Sequence, residues 1–181
     1  MIRKAQPQDK GKVCDLVLMA SSCLYSDVLQ TDDFKKQKEL LMKYYDMPMT
    51  KMTMDNVLVY IHDGEVAGCL VWYDSSDEKE MIKNMESVLT TDYKYVLEGL
   101  NNTIYLDSMA VDDKFQGLGI SRKLLNYAIE HSDKDLSLLV ETYKTDVEDY
   151  YKRVGFEVVK TVEAFDCELD VMIYKINAWT L

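Results

Sequence analysis

The stretch from residue 104 to residue 130 constrains the fold more than any other part of the sequence. Its apolar beginning, 104–111, is typical of a buried strand, and a loop with Gly117 and Gly119 follows. From Ile120 onward, apolar residues recur at the spacing of an amphipathic helix. Glycine lets a backbone turn tightly and approach a ligand, and the first turn of a helix presents unpaired N–H groups. This stretch is therefore predicted to bind a phosphate group between a strand and a helix.

Two common phosphate-binding motifs do not match this loop. A Walker A loop ends in Gly-Lys-Ser/Thr, whereas the loop has Gly119-Ile120-Ser121. A dinucleotide-binding fingerprint needs a third glycine where Arg122 stands. What remains is the pattern Gln/Arg-x-x-Gly-x-Gly/Ala, which reads Gln116-Gly117-Leu118-Gly119-Ile120-Ser121 with a serine as the last small residue.

The charge of the chain narrows the choice of partners. The formal net charge is −11, and an acidic surface repels nucleic acid. The same field attracts cationic molecules such as primary amines, polyamines and basic peptides. We therefore expect no nucleic-acid partner, and a cationic small-molecule or peptide ligand agrees with the charge.

Length and composition predict one ordered domain over residues 1–181. Residues 1–6 lack the apolar core of a signal peptide, and no apolar run approaches the ~18 residues that span a bilayer. The cysteines lie far apart and without metal-ligand spacing, which predicts free thiols in a reducing cytoplasm and no metal site. They are Cys14, Cys23, Cys69 and Cys167. We expect a cytoplasmic protein without a membrane partner.

Patterns in the first half of the chain predict a short strand, two helices and a β-hairpin. Asp9 is placed to cap the first helix, and Pro48 is placed to end the second. Residues 56–61 and 66–73 are typical of strands, and the Asp63-Gly64 pair between them is a strong signal for a tight turn.

Patterns in the second half predict a parallel strand pair and a final hairpin. The apolar run 136–141 completes a strand–loop–helix–strand unit, which favours parallel strands with a crossover helix. Thr145 and Glu148 have the spacing of a capping box for the next helix, and Gly155 is placed to end that helix. The last two apolar segments flank a loop at 163–168 and are predicted to pair.

A second motif follows the glycine loop after one strand and one helix. It is Tyr151-Lys152-Arg153-Val154-Gly155-Phe156, which reads Tyr-x-x-x-Gly-Phe. In this order, the two motifs resemble those of the GNAT superfamily of acyl-CoA N-acyltransferases, and the resemblance covers residues 1–176. It implies an α/β (α+β) fold with a mixed, mostly antiparallel central sheet, a splayed parallel strand pair and flanking helices.

The resemblance also implies the chemistry. Members transfer an acetyl group from acetyl-CoA, the co-substrate, to an amine by direct transfer in a ternary complex. The motifs do not identify the acceptor, so a small-molecule amine and a peptide amine both stay open. Two other functions stay open on the same fold: a non-catalytic CoA-binding or regulatory module, and an interaction protein with an empty cofactor cleft.

Residues 74–102 resemble an insertion, because minimal members of the family connect the corresponding strands more directly. Apolar spacing predicts one short helix with Met81 and Met85 on its buried face, and a second helix with Tyr95, Val96 and Leu100. The insertion could cover the acceptor pocket, form a homodimer contact or serve the structure alone.

The resemblance assigns cofactor-binding positions. Backbone N–H groups of the loop would hold the pyrophosphate, and they belong to Gln116, Gly117, Leu118, Gly119, Ile120, Ser121 and Arg122. Backbone groups at Met109 and Val111 would meet the acetyl carbonyl and the pantetheine. The chain departs from the pattern at Ser121, and also at Lys144, where many members carry an asparagine that helps hold the pantetheine arm.

Two side chains are predicted to be catalytic. Tyr151 matches the catalytic tyrosine of the family, and a neutral tyrosine can protonate a departing thiolate. Tyr150 is the weaker candidate, because it points about 100° away around the helix. Asp107 is the candidate base, either directly or through water, or it binds the cationic acceptor. Glu141 is a second candidate for the base.

Asp107 would be a poor base at its ordinary pKa of ~3.9, so burial would have to raise that pKa. Strand alternation predicts that its side chain shares a face with Tyr105 and Met109.

Overall fold

A computed structural model describes residues 1–164 and 167–176, apart from the side chains of Ser22 and Cys23. The strands are β1 Ile2–Lys4, β2 Val57–His62, β3 Glu65–Asp74, β4 Ile104–Val111, β5 Leu136–Glu141, β6 Glu157–Ala164 and β7 Cys167–Tyr174. The helices are α1 Lys10–Leu29, α2 Phe34–Asp46, α3 Glu78–Glu86, α4 Ile120–Glu130 and α5 Thr145–Val154. The predicted connection between the last two strands falls partly on residues 165–166, which lie outside the described residues.

The described strands form one seven-stranded sheet in the order β1-β2-β3-β4-β5-β7-β6. Neighbouring strands are antiparallel except for β4 and β5, which are parallel. This confirms the mixed, mostly antiparallel sheet and its parallel pair. The hairpin of β2 and β3 is also confirmed, with Asp63 at φ 47° and Gly64 at φ 83° in its turn. The pairing of β6 with β7 confirms the final hairpin.

Helices cover both faces of the sheet and divide the core. One cluster joins α1 and α2 to a face of β2 and β3, and includes Val13, Leu41, Val57 and Cys69. The other joins α4 to the opposite face, and includes Leu106, Leu125 and Leu138. Cys14 and Cys69 are buried free thiols, while the side chain of Cys23 lies outside the described residues.

The second helix predicted for residues 74–102 is wrong. Only α3 forms in that range of the sequence, apart from a single turn of 3-10 helix, and residues 87–103 are turns and irregular chain. Carboxylates take the amide groups that a helix would use: Glu78 accepts from the N–H groups of Glu98 and Gly99, and Glu86 accepts from that of Tyr95. These tertiary contacts override the apolar spacing.

Two predicted helix caps differ from the structure as well. Asp9 occupies the predicted N-cap position of α1, but its carboxylate binds the Arg3 guanidinium and the Gln6 amide and caps no amide of that helix. Thr145 is the first helical residue of α5 and not its cap. The Glu148 carboxylate lies 2.5 Å from Lys152 Nζ, one turn further along, so it is not turned back toward the start of the helix. The predicted end of α5 is confirmed, because Gly155 is the C-cap residue of the helix and has φ 115°.

Candidate active site

The two parallel strands leave an opening in the middle of the sheet. β4 and β5 pair only at Ile104 with Leu136 and at Tyr105 with Ser137. Beyond these positions the strands are no longer paired with each other, and we call the space between them the β4–β5 cleft. The glycine loop follows the end of β4, and α5 follows the end of β5 after residues 142–144. The two sequence motifs therefore flank the same cleft.

The glycine loop turns with its backbone in the left-handed region. Gly117 has φ 79° and Gly119 has φ 67°, and a Cβ atom added at either position would meet nothing within 4 Å. The glycines are therefore required by the backbone angle and not by crowding. The amide of Lys123 bonds the carbonyl of Gly119, which leaves the preceding amides at the helix start directed outward. A helix start of this kind attracts an anion.

The basic side chains near the loop differ in their partners and their exposure. Lys114 lies 2.7 Å from Glu65, and Lys123 donates to the carbonyl of Leu118 at 3.1 Å. Arg122 is exposed on the first turn of α4 and lines a cavity of about 180 Å³ with Arg153 of α5. Asp112, which pairs with Lys12, caps the turn that enters the loop by accepting from the amide of Lys114.

Asp107 occupies a β-bulge in β4. Val71 pairs with Ser108 and Trp72 with Leu106, so Asp107 is the extra residue of the strand. Because of the bulge, the alternation of side chains predicted along β4 is wrong in part. Tyr105 packs in the cluster with Tyr73 and Met81, whereas Met109 packs against the α4 side. Asp107 interacts electrostatically with residues on the Tyr105 side, so its predicted face is shared with Tyr105 and not with Met109.

A buried group of charged side chains lies beside Asp107, and we call it the Lys51 cluster: Lys51, Glu78 and Glu98. Lys51 Nζ lies 3.0 Å from Glu78 and 2.5 Å from Glu98, and its side chain is only 5% exposed. Two tyrosine hydroxyls complete the contacts, since Tyr73 donates to Glu78 and Tyr105 donates to Glu98. With Asp107, the group holds three carboxylates against one ammonium.

The surroundings change the protonation of Asp107. Burial raises its pKa, and the negative charge of Glu98 raises it further, while Lys51 and a hydrogen bond from Ser108 lower it. The balance brings the pKa of Asp107 to about 6. For Lys51, burial lowers the pKa, but the charges of Glu98, Asp107 and Glu78 outweigh burial and raise it. Lys51 therefore stays an ammonium, and Asp107 becomes an effective proton acceptor near neutral pH.

Tyr151 lies in α5 among aromatic rings. Its ring centroid is 5.2 Å from that of Tyr150 and 5.5 Å from that of Phe156, both in edge-to-face contact. Burial raises the pKa of Tyr151, and the neighbouring Tyr150 adds to this effect. The hydroxyl of Tyr151 is therefore protonated at neutral pH, as a proton donor must be.

Glu141, the alternative base, is paired with Lys144, the second departure from the family pattern. Glu141 ends β5, and its carboxylate accepts from Lys144 Nζ at 2.8 Å. Lys144 is half-buried at the N-cap of α5, so the position where many members carry an asparagine is used for an ion pair at the rim of the cleft. Asp107 has the raised pKa that a base needs, and Glu141 is engaged by an ammonium.

Sequence reasoning missed the Lys51 cluster and the environment of Tyr150. Lys51 lies within a methionine-rich connector and Glu98 lies in the mispredicted insertion, so neither carries a local signal of burial. The partners come from distant segments, and only the folded chain brings them together. The hydroxyl of Tyr150 is buried without a hydrogen-bond partner, and no sequence pattern predicts this.

The chain belongs to the GNAT acetyltransferase family. The model of that family, the acetyltransferase (GNAT) domain, matches residues 54–158, which hold β2, β3, the whole cleft and both motifs. Acetyl transfer is therefore its general class of activity. None of the curated proteins compared with the sequence matched it.

Solved structures share this fold. An N-acetyltransferase from Staphylococcus aureus Mu50 is 23% identical with a TM-score of 0.82, and the match covers 96% of this chain and 100% of that one. A structure described as an acetyltransferase is 27% identical with a TM-score of 0.78, and the match covers 98% and 100%. Arabidopsis thaliana Naa50 in complex with the bisubstrate analogue CoA-Ac-MVNAL is 14% identical with a TM-score of 0.57, and the match covers 97% of both chains.

Two further findings concern residues 1–164 and 167–176. None of the helices there has the length and the apolar character needed to cross a membrane. Within the same residues, no three or more His, Cys, Asp or Glu side chains are grouped so that they could hold a metal ion.

Proposed function

We propose that this protein transfers the acetyl group of acetyl-CoA directly to a primary amine in a ternary complex. The observation that carries the proposal is the β4–β5 cleft, with an anion-binding loop on one side and a protonated tyrosine on the other. Asp107, a carboxylate with a pKa of about 6, lies in β4, the strand that leads into that loop.

The residues present fit the co-substrate. The amides of 117–122, with two glycines in the left-handed region, suit a pyrophosphate, whereas the amide of Gln116 is bonded to the carbonyl of Asp113. Met109 and Val111 lie on the part of β4 that has left its pairing with β5, so backbone groups on that edge are available to an extended arm. Acetyl-CoA supplies the activated acyl group, and the chain supplies position, a proton acceptor and a proton donor.

Asp107 acts on the acceptor. An amine is an ammonium ion at neutral pH and must lose a proton before its nitrogen lone pair can attack a carbonyl carbon. A carboxylate with a pKa of about 6 is ionised at pH 7 and accepts that proton more readily than an ordinary aspartate. The new nitrogen–carbon bond forms as the carbon–sulfur bond breaks, and the sulfur leaves as a thiolate.

Tyr151 acts on the leaving group. Its O–H donates a proton to the thiolate, so free CoA leaves as a thiol. Burial keeps this hydroxyl protonated until the sulfur becomes basic. Asp107 therefore takes the first proton from the ammonium, and Tyr151 gives one to the sulfur. The nitrogen loses its second proton as the amide forms; this proton restores the Tyr151 O–H, and the one on Asp107 is released to solvent.

The acceptor is proposed to be cationic before it reacts. Three carboxylates face one ammonium beside the cleft, so a further positive charge is favoured there. The net charge of −11 adds a long-range attraction for the same class of molecule. Small-molecule amines and peptide amines both satisfy these conditions.

Release of free thiol from acetyl-CoA, measured across a panel of amines, tests the proposal. We expect amine-dependent release for at least one class of cationic amine. A protein that is stabilised against heat by CoA but releases no thiol with any amine would instead be a CoA-binding or regulatory module. Absence of both responses would leave the cleft without a role in CoA chemistry.

A further inference from the structure

The hydroxyl of Tyr150 is an exception within the protein. In the part of the chain that the structure describes, no other buried side-chain oxygen or nitrogen atom lacks a hydrogen-bond partner. Other buried tyrosines have partners: Tyr44 donates to the carbonyl of Met85, Tyr45 to that of Gln6, and Tyr105 to Glu98. A buried hydroxyl without a partner destabilises a fold, because it has lost water and gained nothing in return.

Tyr150 packs against the core cluster that borders the β4–β5 cleft. It is in the second turn of α5 and packs against the cluster that holds Leu106 of β4 and Leu138 of β5, the first residues after the two paired positions. Its ring centroid is 5.2 Å from that of Tyr151. If Tyr151 reaches the sulfur, as the proposed function requires, Tyr150 lies beside the arm that carries the sulfur.

We propose that the Tyr150 hydroxyl donates a hydrogen bond to an amide carbonyl oxygen of the pantetheine arm of CoA. The inference rests on the proposed function, because it assumes that CoA enters the β4–β5 cleft. The residue is half-buried, so part of it reaches the surface while the hydroxyl is covered. The proposal therefore includes a rotation of the side chain on binding, which brings the hydroxyl to the arm.

A neutral carbonyl is the chemical group that suits this position. The hydroxyl lies among apolar side chains, where a charged phosphate would lose its hydration, whereas the amides that we propose for the pyrophosphate begin in the exposed loop at 117–119. The contact also replaces one that the chain lacks. Lys144, where the resemblance implies an asparagine that holds this arm, is paired with Glu141.

Tyr150→Phe removes only this hydroxyl, and it should act in opposite directions on the free and the bound protein. The melting temperature of the free variant should be no lower than that of the wild type and up to about 4 °C higher, because an unsatisfied group is removed. The dissociation constant for CoA, measured by calorimetry, should rise about five- to tenfold, because one buried hydrogen bond is lost.

Tyr44→Phe is the matched control. It removes a buried hydroxyl that has partners in the cluster of α1 and α2, so it should lower the melting temperature and leave CoA affinity unchanged. CoA and acetyl-CoA should lose the same factor of affinity for Tyr150→Phe, since both carry the arm.

Three results would overturn the inference. They are unchanged CoA affinity in Tyr150→Phe, a free variant that melts below the wild type, and a loss seen with acetyl-CoA alone, which would move the contact to the acetyl carbonyl. Failure of the wild type to bind CoA would contradict the proposed function itself, and the calorimetry of the unsubstituted protein reveals that case directly.

Discussion

The protonation of Asp107 is controlled by two neighbours of opposite charge. Glu98 raises the pKa of Asp107 and Lys51 lowers it, although burial has the larger effect. A base must be ionised to work, so kcat/KM should fall as the pH decreases through about 6. Each neighbour can then be tested by the direction in which its removal moves this acid limb.

Glu98→Gln should move the acid limb to lower pH by roughly half to one unit, because a negative charge that favoured the protonated form is gone. Lys51→Met should move it to higher pH, because the stabilising cation is gone. Glu39→Gln, on the exposed face of α2, is the control and should leave the profile unchanged. Shifts of both cluster variants in the same direction would show that the cluster only supports the fold.

Tyr151→Phe tests the catalytic role of Tyr151 separately from the CoA binding that we assign to Tyr150. Loss of the proton donor should lower kcat about 10²- to 10⁴-fold, while the dissociation constant for CoA stays within about twofold of the wild type. The measurement combines steady-state kinetics with calorimetry. Tyr150→Phe provides the comparison, because its expected defect lies in affinity. Undiminished turnover would remove Tyr151 from the role of general acid.

At the scale of elements, the glycine loop determines how α4 begins. Gly119→Ala forces an alanine to φ 67°, which costs about 1–2 kcal/mol although no atom obstructs its Cβ. The relief of that strain would move the amides that face the cleft, so CoA affinity should fall together with stability. Chemical denaturation and calorimetry measure the two effects.

Gly11→Ala is the control for this substitution. Gly11 lies in α1, has nothing within 4 Å of an added Cβ and is not in the left-handed region, so alanine should stabilise the protein by about 0.5–1 kcal/mol. If Gly119→Ala matched the wild type in both stability and CoA affinity, the loop geometry would not be needed for binding.

The same elements show what a sequence can and cannot predict. The loop, its strand and its helix are contiguous, so local spacing was enough to predict them and the parallel pair. Asp107 was found as a charge in an apolar strand, but its bulge depends on the pairing with β3. The Lys51 cluster joins segments that are far apart in the chain. Glu78 of that cluster and Glu86 accept from amides of the segment near Tyr95, which is irregular chain and not the predicted helix.

At the scale of the whole molecule, the candidate base works against stability. A group whose folded pKa is raised favours the protonated state, so Asp107 destabilises the folded protein fully above about pH 6, and this penalty fades as the pH falls from there to about 4, the ordinary pKa of an aspartate in the unfolded chain. Asp9, Asp74 and Asp135 act in the opposite direction. Burial opposes the effect, but hydrogen bonds from Arg3, Lys134 and Lys175 hold the pKa of each below its ordinary value. Their stabilisation is therefore lost only as the pH falls below about 4.

The melting temperature should therefore rise as the pH is lowered from 7 to 5, and fall below about pH 4. Reduced repulsion within a chain of net charge −11 contributes to the rise, so Asp107 must be isolated by a variant. Asp107→Asn mimics the protonated form, and it should be more stable than the wild type by about 1–3 kcal/mol at pH 7, by roughly half as much near pH 5, and equal to it only below about pH 4. A variant that is less stable than the wild type at pH 7, or a difference that does not change with pH, would mean that the cluster favours the charged aspartate. The same substitution should abolish amine-dependent thiol release, so a gain in stability with a loss of activity would identify Asp107 as a residue kept for chemistry at the expense of the fold.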